Sequence, residues 1–503
     1  MDTESRLAEL WKYRENNRLE AKKALGGLPQ SVWETYSAFA NTDGGTILLG
    51  VEEMQDHSLR SISLADPEKL LQNFWNTINN RQKVSVNILS ERHARLETVG
   101  DNRVVVIEVP RADRRDKPVY IGPDPFAGSF RRRGDGDYHC TKEEVRNMMR
   151  DQADISQDLR ILVPLGLDAF DDASVRRYRI RLGNSRPGHV WENLENTEFL
   201  QKLGAIGRGE DGVLHPTAAG VLMFGFEYEI VKEFPDYFLD YQEHENGAER
   251  WTERIVSSSG DWSGNLFDFY IRVYNRLAQE PKTPFHMENG VRIDDTPVHK
   301  ALREALVNAL IHANYYDRRG LVVHRSPQKI SIANPGAMRI SLQDAISGGL
   351  SDPRNTTLTK MFNLINLGER AGSGIPSIFS VWEGQGWPPP SMEERFDPDR
   401  TLLTLHLSPT GDKSAINIGD NAGGYSNGKA SARGEDMRNR IIAYLTVNPI
   451  CKSSDIAHLL DLSPSRTRDY LSMLVAEGVL VAEGANRNRV YRLGRSFPAP
   501  ESE

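Results

Sequence analysis

Cysteine is nearly missing from this sequence of 503 residues: only Cys140 and Cys451 occur, far apart along the chain. That argues against a disulfide framework and against a cysteine-based zinc site, and a reducing, cytoplasmic setting is expected. Long apolar runs are missing too. No stretch approaches the roughly 18 apolar residues that a membrane helix needs, so no membrane partner is expected. The opening MDTESRLAEL is acidic and polar, without the apolar centre of a secretory signal. Nor is there a surplus of positive charge, since the formal net charge is -8. A nucleic-acid partner must then rest on local patches rather than on the total. Hydrophobic residues make up 39% and charged residues 26%, which fits folded domains rather than disorder, and the length predicts two to four of them.

The chain divides into five stretches, and the whole reads as an α+β multidomain protein. Residues 1–155 begin with a charged, helical start and a helix near Pro29–Asn41. The run Gly44-Gly45-Thr46-Ile47-Leu48-Leu49-Gly50-Val51 then has the signature of a buried strand. Val104–Val109 reads as another strand, and Thr141 with Glu144 as the capping box of a helix. Residues 156–290 form a connecting α+β region. A helix over Asn196–Leu203 ends there at Gly204, and large aromatics supply core. Residues 291–408 open with the clearest helix, Pro297–Asn314. Strands at Gly320–His324 and Lys329–Ala333 follow, then a turn at Asn334-Pro335-Gly336, three further helices and a closing strand at Thr401–Leu407. Residues 409–434 are rich in Gly, Asn, Ser and Ala and read as a flexible linker. A compact block fills 435–495.

That last block has the order helix, helix, turn, helix, hairpin, which is the order of a winged helix. Pro464 stands at the first position of the third helix and Gly478 stops it. Ser465, Arg466 and Arg468 lie at the end of that helix that would enter a major groove. Arg487 and Arg489 lie on the wing, where phosphates would be met. Such a fold also serves protein contacts, and that reading stays open.

In the helix PVHKALREALVNALIHAN, Glu304, Asn308 and His312 are spaced four apart on one face of an otherwise largely apolar helix. A buried Glu and Asn require partners, which a ligand or a metal would provide. Downstream, Asn334-Pro335-Gly336 follows a strand, and Gly372-Ser373-Gly374 precedes a helix, where backbone N–H groups suit an anion. This set resembles the GHKL (Bergerat-fold) ATPase domain. The resemblance implies ATP and Mg as cofactors, with Asn308 holding Mg²⁺ against the phosphates and Glu304 orienting an attacking water. It places Asn334, with Gly336, where the family has an Asp that accepts from the adenine amino group. Gly372 and Gly374 would then cover the phosphates. An amide oxygen accepts as a carboxylate does. No typical lid sequence is evident, so ATP hydrolysis stays open beside ATP binding.

Glu15-Asn16-Asn17-Arg18-Leu19-Glu20-Ala21-Lys22, the element Phe39-Ala40-Asn41-Thr42-Asp43-Gly44-Gly45 and the following Leu49-Gly50-Val51-Glu52-Glu53 resemble the Schlafen AlbA-type domain. With the other two regions, nearly the whole chain looks like the bacterial transcriptional regulators that carry this domain. The resemblance implies nucleic-acid binding, with Lys22, Lys23, Arg131, Arg132 and Arg133 at phosphates. For Arg131–Arg133 a solvated strand edge is the competing reading. The resemblance also leaves room for metal-dependent RNA cleavage through Glu15, Glu20 and Glu53, with Glu52 an alternative to Glu53, because clustered carboxylates hold a divalent ion that activates water. A scaffold without catalysis is the third reading. A homo-oligomer that binds nucleic acid is expected, with DNA as the partner and RNA as the alternative.

Overall fold

The computed structural model describes residues 18–244, 250–279, 287–288, 291–292, 296–368, 372–396 and 398–407, with single positions and short runs between 441 and 493. It falls into two compact units, Met1–Asn417 and Ile418–Glu503. The glycine-rich stretch 409–434 lies outside the described residues.

In the first unit, strands β1 (Leu19–Lys22), β2 (Gly45–Leu49), β3 (Ala94–Val99) and β4 (Asn102–Val109) form one sheet in the order β1-β2-β4-β3. β1 runs parallel to β2, and the other pairs are antiparallel. The helical start expected before residue 29 is therefore a strand in its described part. Helices α1 (Ser31–Asn41) and α2 (Pro67–Ile78) cover one face, where Trp33 stacks on Phe74 at 5.3 Å. Val105, Ile107 and Val109 point into that core, while Val104 and Val106 join Leu48, Val51 and Leu59 in a second cluster. Both faces of β4 are thus covered, which is why VVVIEV is apolar without alternation. Asn41 is fully buried. Its amide nitrogen donates to the carbonyls of Val119 and Phe130, and its oxygen accepts from Val119 N–H. Gly44 has φ +74°, and a side chain there would meet the Val109 carbonyl at 2.6 Å. The FANTDGG element is consequently a structural clamp. The hairpin β5 (Phe130–Arg133) and β6 (Gly136–His139) leads to α3 (Lys142–Gln152), capped by Thr141 and Glu144 as the sequence predicts.

Helices α4 (Asp172–Ser185) and α5 (Leu266–Ala278) flank strands β7 (Leu239–Glu243) and β8 (Glu253–Val256) in the chain. α6 (Pro297–His312) follows, then β9 (Leu321–Arg325), β10 (Lys329–Pro335), helix α7 (Gly374–Gly384), β11 (Ser391–Phe396) and β12 (Asp399–His406). The six strands make one sheet, ordered β8-β7-β9-β10-β12-β11, in which only β7 and β9 run parallel. A single hydrophobic core extends from Leu162 to Leu405. The stretches 156–290 and 291–408, separated in the sequence reading, therefore share a sheet and a core. α6 has Pro297 at its start and Thr296 as cap, and it buries Leu302, Leu306 and Leu310 among others.

In the second unit, Ile441, Leu445, Ile456, Leu471, Leu474, Leu480 and Tyr491 form a small core. Leu480–Glu483 pairs antiparallel with Val490–Leu493, and Cys451 exchanges backbone hydrogen bonds with Tyr491 across the sheet. Among the described residues no helix is long and apolar enough to cross a membrane.

Candidate functional site

α6 is anchored by its apolar sides, so its polar stripe faces a cavity of about 130 Å³. Glu304, Asn308, His312, Asn334, Gly336, Gly372 and Gly374 all line it. The structure thus brings together every residue proposed from the sequence for nucleotide binding. Glu304 is only 8% exposed, and its Oε1 accepts from Asn308 Nδ2 at 3.1 Å. Ile332, Met338, Ile340, Leu350, Met392 and Leu403 supply apolar walls.

Three observations bear on what the cavity can hold. Asn334, at the end of β10, is buried, and its Oδ1 is shielded from solvent with no hydrogen-bond partner. An orphaned amide oxygen costs about 1–3 kcal/mol, so its natural complement is a donor brought by a ligand. Gly336 has φ +98°, and a side chain there would press on Asn314 and Arg354. At Gly374 a Cβ would fall 2.1 Å from Glu304 Oε1 and 2.9 Å from Asn308 Nδ2, so the backbone of α7 approaches the α6 stripe as only glycine permits. A buried acceptor, apolar walls and a close glycine approach thus meet beside a Glu–Asn pair in one cavity. His312 is half-buried, and loss of hydration, then Arg354 and Arg339, push its pKa down to about 4. It is neutral at ordinary pH.

Sequence reasoning missed the wall that joins this cavity to the N-terminal domain. Arg354 grips Asp151, at the end of α3, through two hydrogen bonds of 2.8 Å, and Arg339 reaches the same carboxylate at 3.1 Å. These partners hold the half-buried Asp151 below the usual carboxylate range despite its desolvation. Arg114 pairs with Asp352 and donates to the Asp151 carbonyl at 2.7 Å. Arg111 donates to the Met338 carbonyl at 2.6 Å and pairs with Glu394. Met338, Arg339, Asp352 and Arg354 all line the cavity. Arg354 and Asp151 are 203 residues apart, so no local pattern could have revealed them.

The arginine run requires a correction. Arg131 is buried, donates to Asp399 and Glu144, and lies 5.4 Å from the Phe396 ring centre. Arg132 is buried between Asp137 at 2.9 Å and Glu20 at 2.8 Å, and Arg133 pairs with Glu144. Arg131 and Arg132 therefore join elements internally and do not offer themselves to phosphates. Lys22 is half-buried on Glu20, while Lys23 is exposed beside Glu52. Of the proposed nuclease carboxylates, Glu20 is held by Arg132 and Lys22, and Glu53 by His57 at 2.8 Å. Glu15 lies outside the described residues, among which no three His, Cys, Asp or Glu side chains are placed to hold a metal. Ser465, Arg466, Arg468, Arg487 and Arg489 also lie outside the described residues.

Family models match four stretches. Residues 15–141 match "Schlafen, AlbA_2", residues 146–240 a domain of unknown function (DUF8451), residues 319–404 "Putative ATP-dependent DNA helicase recG C-terminal", and residues 435–481 "Winged helix-turn-helix DNA-binding". The helix that carries Glu304 and Asn308 precedes the third match. No curated protein matches the chain. Among solved structures, the DIP2311 protein from Corynebacterium diphtheriae is 17% identical, covering 95% of this chain and 92% of that one, with a TM-score of 0.40. The N-terminal domain of a RecG-related protein from Nitrosomonas europaea is 32% identical over 28% of this chain and 95% of its own, with a TM-score of 0.22.

Proposed function

We propose that this chain, in which a Schlafen AlbA_2 domain, an ATPase-like domain of the RecG C-terminal type and a winged helix-turn-helix domain follow one another, is a DNA-binding transcriptional regulator tuned by ATP. The observation that carries this reading is the orphaned Asn334 Oδ1 in a cavity that the Glu304–Asn308 pair also lines. Asn334 would accept from the adenine amino group. With Nδ2 donating to Glu304, Asn308 would turn Oδ1 toward Mg²⁺, and Gly372 and Gly374 would let backbone N–H groups approach the phosphates. The metal ion, when bound, neutralises phosphate charge and polarises the terminal phosphoryl group. Glu304 would orient water if turnover occurs.

The tuning rests on the shared wall. Arg339, Asp352 and Arg354 face the cavity and also hold Arg114 and Asp151 of the N-terminal half. A polyphosphate that recruits these side chains weakens or re-aims their grip, and the ligand's differential affinity for the two arrangements sets how far the balance moves. Calorimetric titration of the intact chain with ATP and Mg²⁺ tests the first half. Saturable binding that is lost in Asn308→Ala is expected. Absence of binding by folded wild type would overturn the nucleotide reading.

A further inference from the structure

Helix α4 takes no part in the cavity, yet it carries Arg176, Arg177, Arg179 and Arg181 against a single acid, Asp172. Its Val175, Tyr178 and Leu182 are spent on the core. The arginines differ in what they do. Arg179 turns back to donate to Asn196 at 2.6 Å and to the carbonyl of Glu192 at 2.9 Å. Arg177 pairs with Asp268 at 2.6 Å, and Asp171 and Asp268 are further occupied by the Ser174 hydroxyl. Arg176 is exposed. Arg181 lies 5.8 Å from the Tyr270 ring centre, and its Nε is shut off from water without a hydrogen-bond partner.

A groove of about 380 Å³ runs between α4 and α5, lined by Arg177, Ile180, Arg181, Asn184, Ser185 and Ile271. Beside Ile271, Arg272 is exposed and stands 5.3 Å from the Trp262 ring centre. Among the described residues Arg176, Arg181 and Arg272 make no ion pair, on a chain whose net charge is -8. Arg181 lines the groove, Arg176 stands one helical turn before the groove residue Ile180, and Arg272 follows the groove residue Ile271, so guanidinium groups without ion pairs border it on an acidic protein and call for a polyanion. Arginine rather than lysine provides the planar fork that matches phosphate oxygens.

We infer that the α4–α5 groove is a contact for the phosphodiester backbone of nucleic acid, additional to the AlbA_2 and winged-helix domains. This inference rests on the nucleic-acid part of the proposed function. The contact positions the chain and reads no bases.

The test uses the intact chain and a random-sequence DNA duplex, with affinity followed by fluorescence anisotropy over a range of KCl concentrations. Arg176→Gln/Arg272→Gln should flatten the plot of log affinity against log salt by about two, one for each lost phosphate contact, and Arg176→Lys should leave it unchanged. Both positions are exposed, so an unaltered melting temperature is expected. A wild-type slope and affinity retained by the double variant overturns the inference while leaving the proposed function standing. So does loss of binding to polyglutamate with DNA binding intact, which would assign the groove to an acidic peptide. Failure of the wild type to bind duplex at any salt overturns both, and the ATP titration then judges the nucleotide reading separately.

Discussion

Arg354 lies side-on to Asp151, Nε on one carboxylate oxygen and Nη2 on the other, each at 2.8 Å. The same guanidinium donates to the carbonyls of His312 and Ala337. One buried side chain thus ties the end of α6, the glycine turn and the end of α3. Removing one partner of a buried ion pair leaves the other uncompensated. Arg354→Ala is expected to cost about 3–5 kcal/mol, tempered by Arg339, which still reaches Asp151. Arg354→Lys keeps the charge but loses the fork and should fall between. Urea unfolding of the three proteins checks the order.

Asn334 makes a sharper case, because stability and binding should move in opposite directions. Asn334→Leu removes the unpartnered oxygen while keeping the branched outline, at a position that borders a cavity, so the folded chain should be as stable as wild type or more so. ATP affinity should nevertheless drop by about tenfold or more, since the adenine amino group loses its acceptor. Asn334→Asp restores an acceptor and should bind. Equal ATP affinity in all three proteins by calorimetry would remove Asn334 from the site.

Coupling can be separated from binding at Asp352, whose side chain pairs with Arg114 across the wall. Asp352→Asn weakens that pair without touching Glu304 or Asn308. ATP should still bind within a few-fold of wild type, while its effect on DNA affinity should shrink markedly. Gel shifts with and without ATP, at one stated salt concentration, measure this. An undiminished ATP effect would place the transmission elsewhere.

His312 gives a pH dependence with a definite sign. Its folded pKa lies near 4, below the value of about 6.5 in an unfolded chain. Between those values the unfolded chain takes up a proton that the folded one refuses. Stability from this group is therefore full above about 6.5 and is lost as pH falls, by at most about 1.4 kcal/mol per unit, until the folded pKa is reached. Urea unfolding at several pH values should show a flatter acid limb in His312→Gln.

Much of this architecture was legible because it is local. Thr141 and Glu144 announce the cap of α3, Gly204 ends its helix in a left-handed conformation, and α6 declares itself by period and by Pro297. The cavity residues were legible for a related reason. Four-residue spacing places Glu304, Asn308 and His312 on one face, and glycines mark close approaches. What escaped depends on distant partners. Leu19–Lys22 is charged enough to look helical, but pairing with Thr46–Leu49 makes it a strand. Arg131 looks like a phosphate contact until Asp399 is found beside it, 268 residues on. The hairpin strand Ser391–Phe396 gives only a weak apolar signal, because polar residues fill most of its positions.

The parallel pairing of β7 with β9 limits how this protein can be divided. A fragment starting at residue 291, or at the start of the RecG-type match, would lack the two strands that close one side of its sheet. Leu321–Arg325 would become a bare edge, ready to pair with any other chain. Half of the shared core would be stripped as well. The ATPase-like module can therefore be transplanted or expressed alone only together with residues from about 160 onward, and a shorter excision should yield aggregates rather than a folded domain.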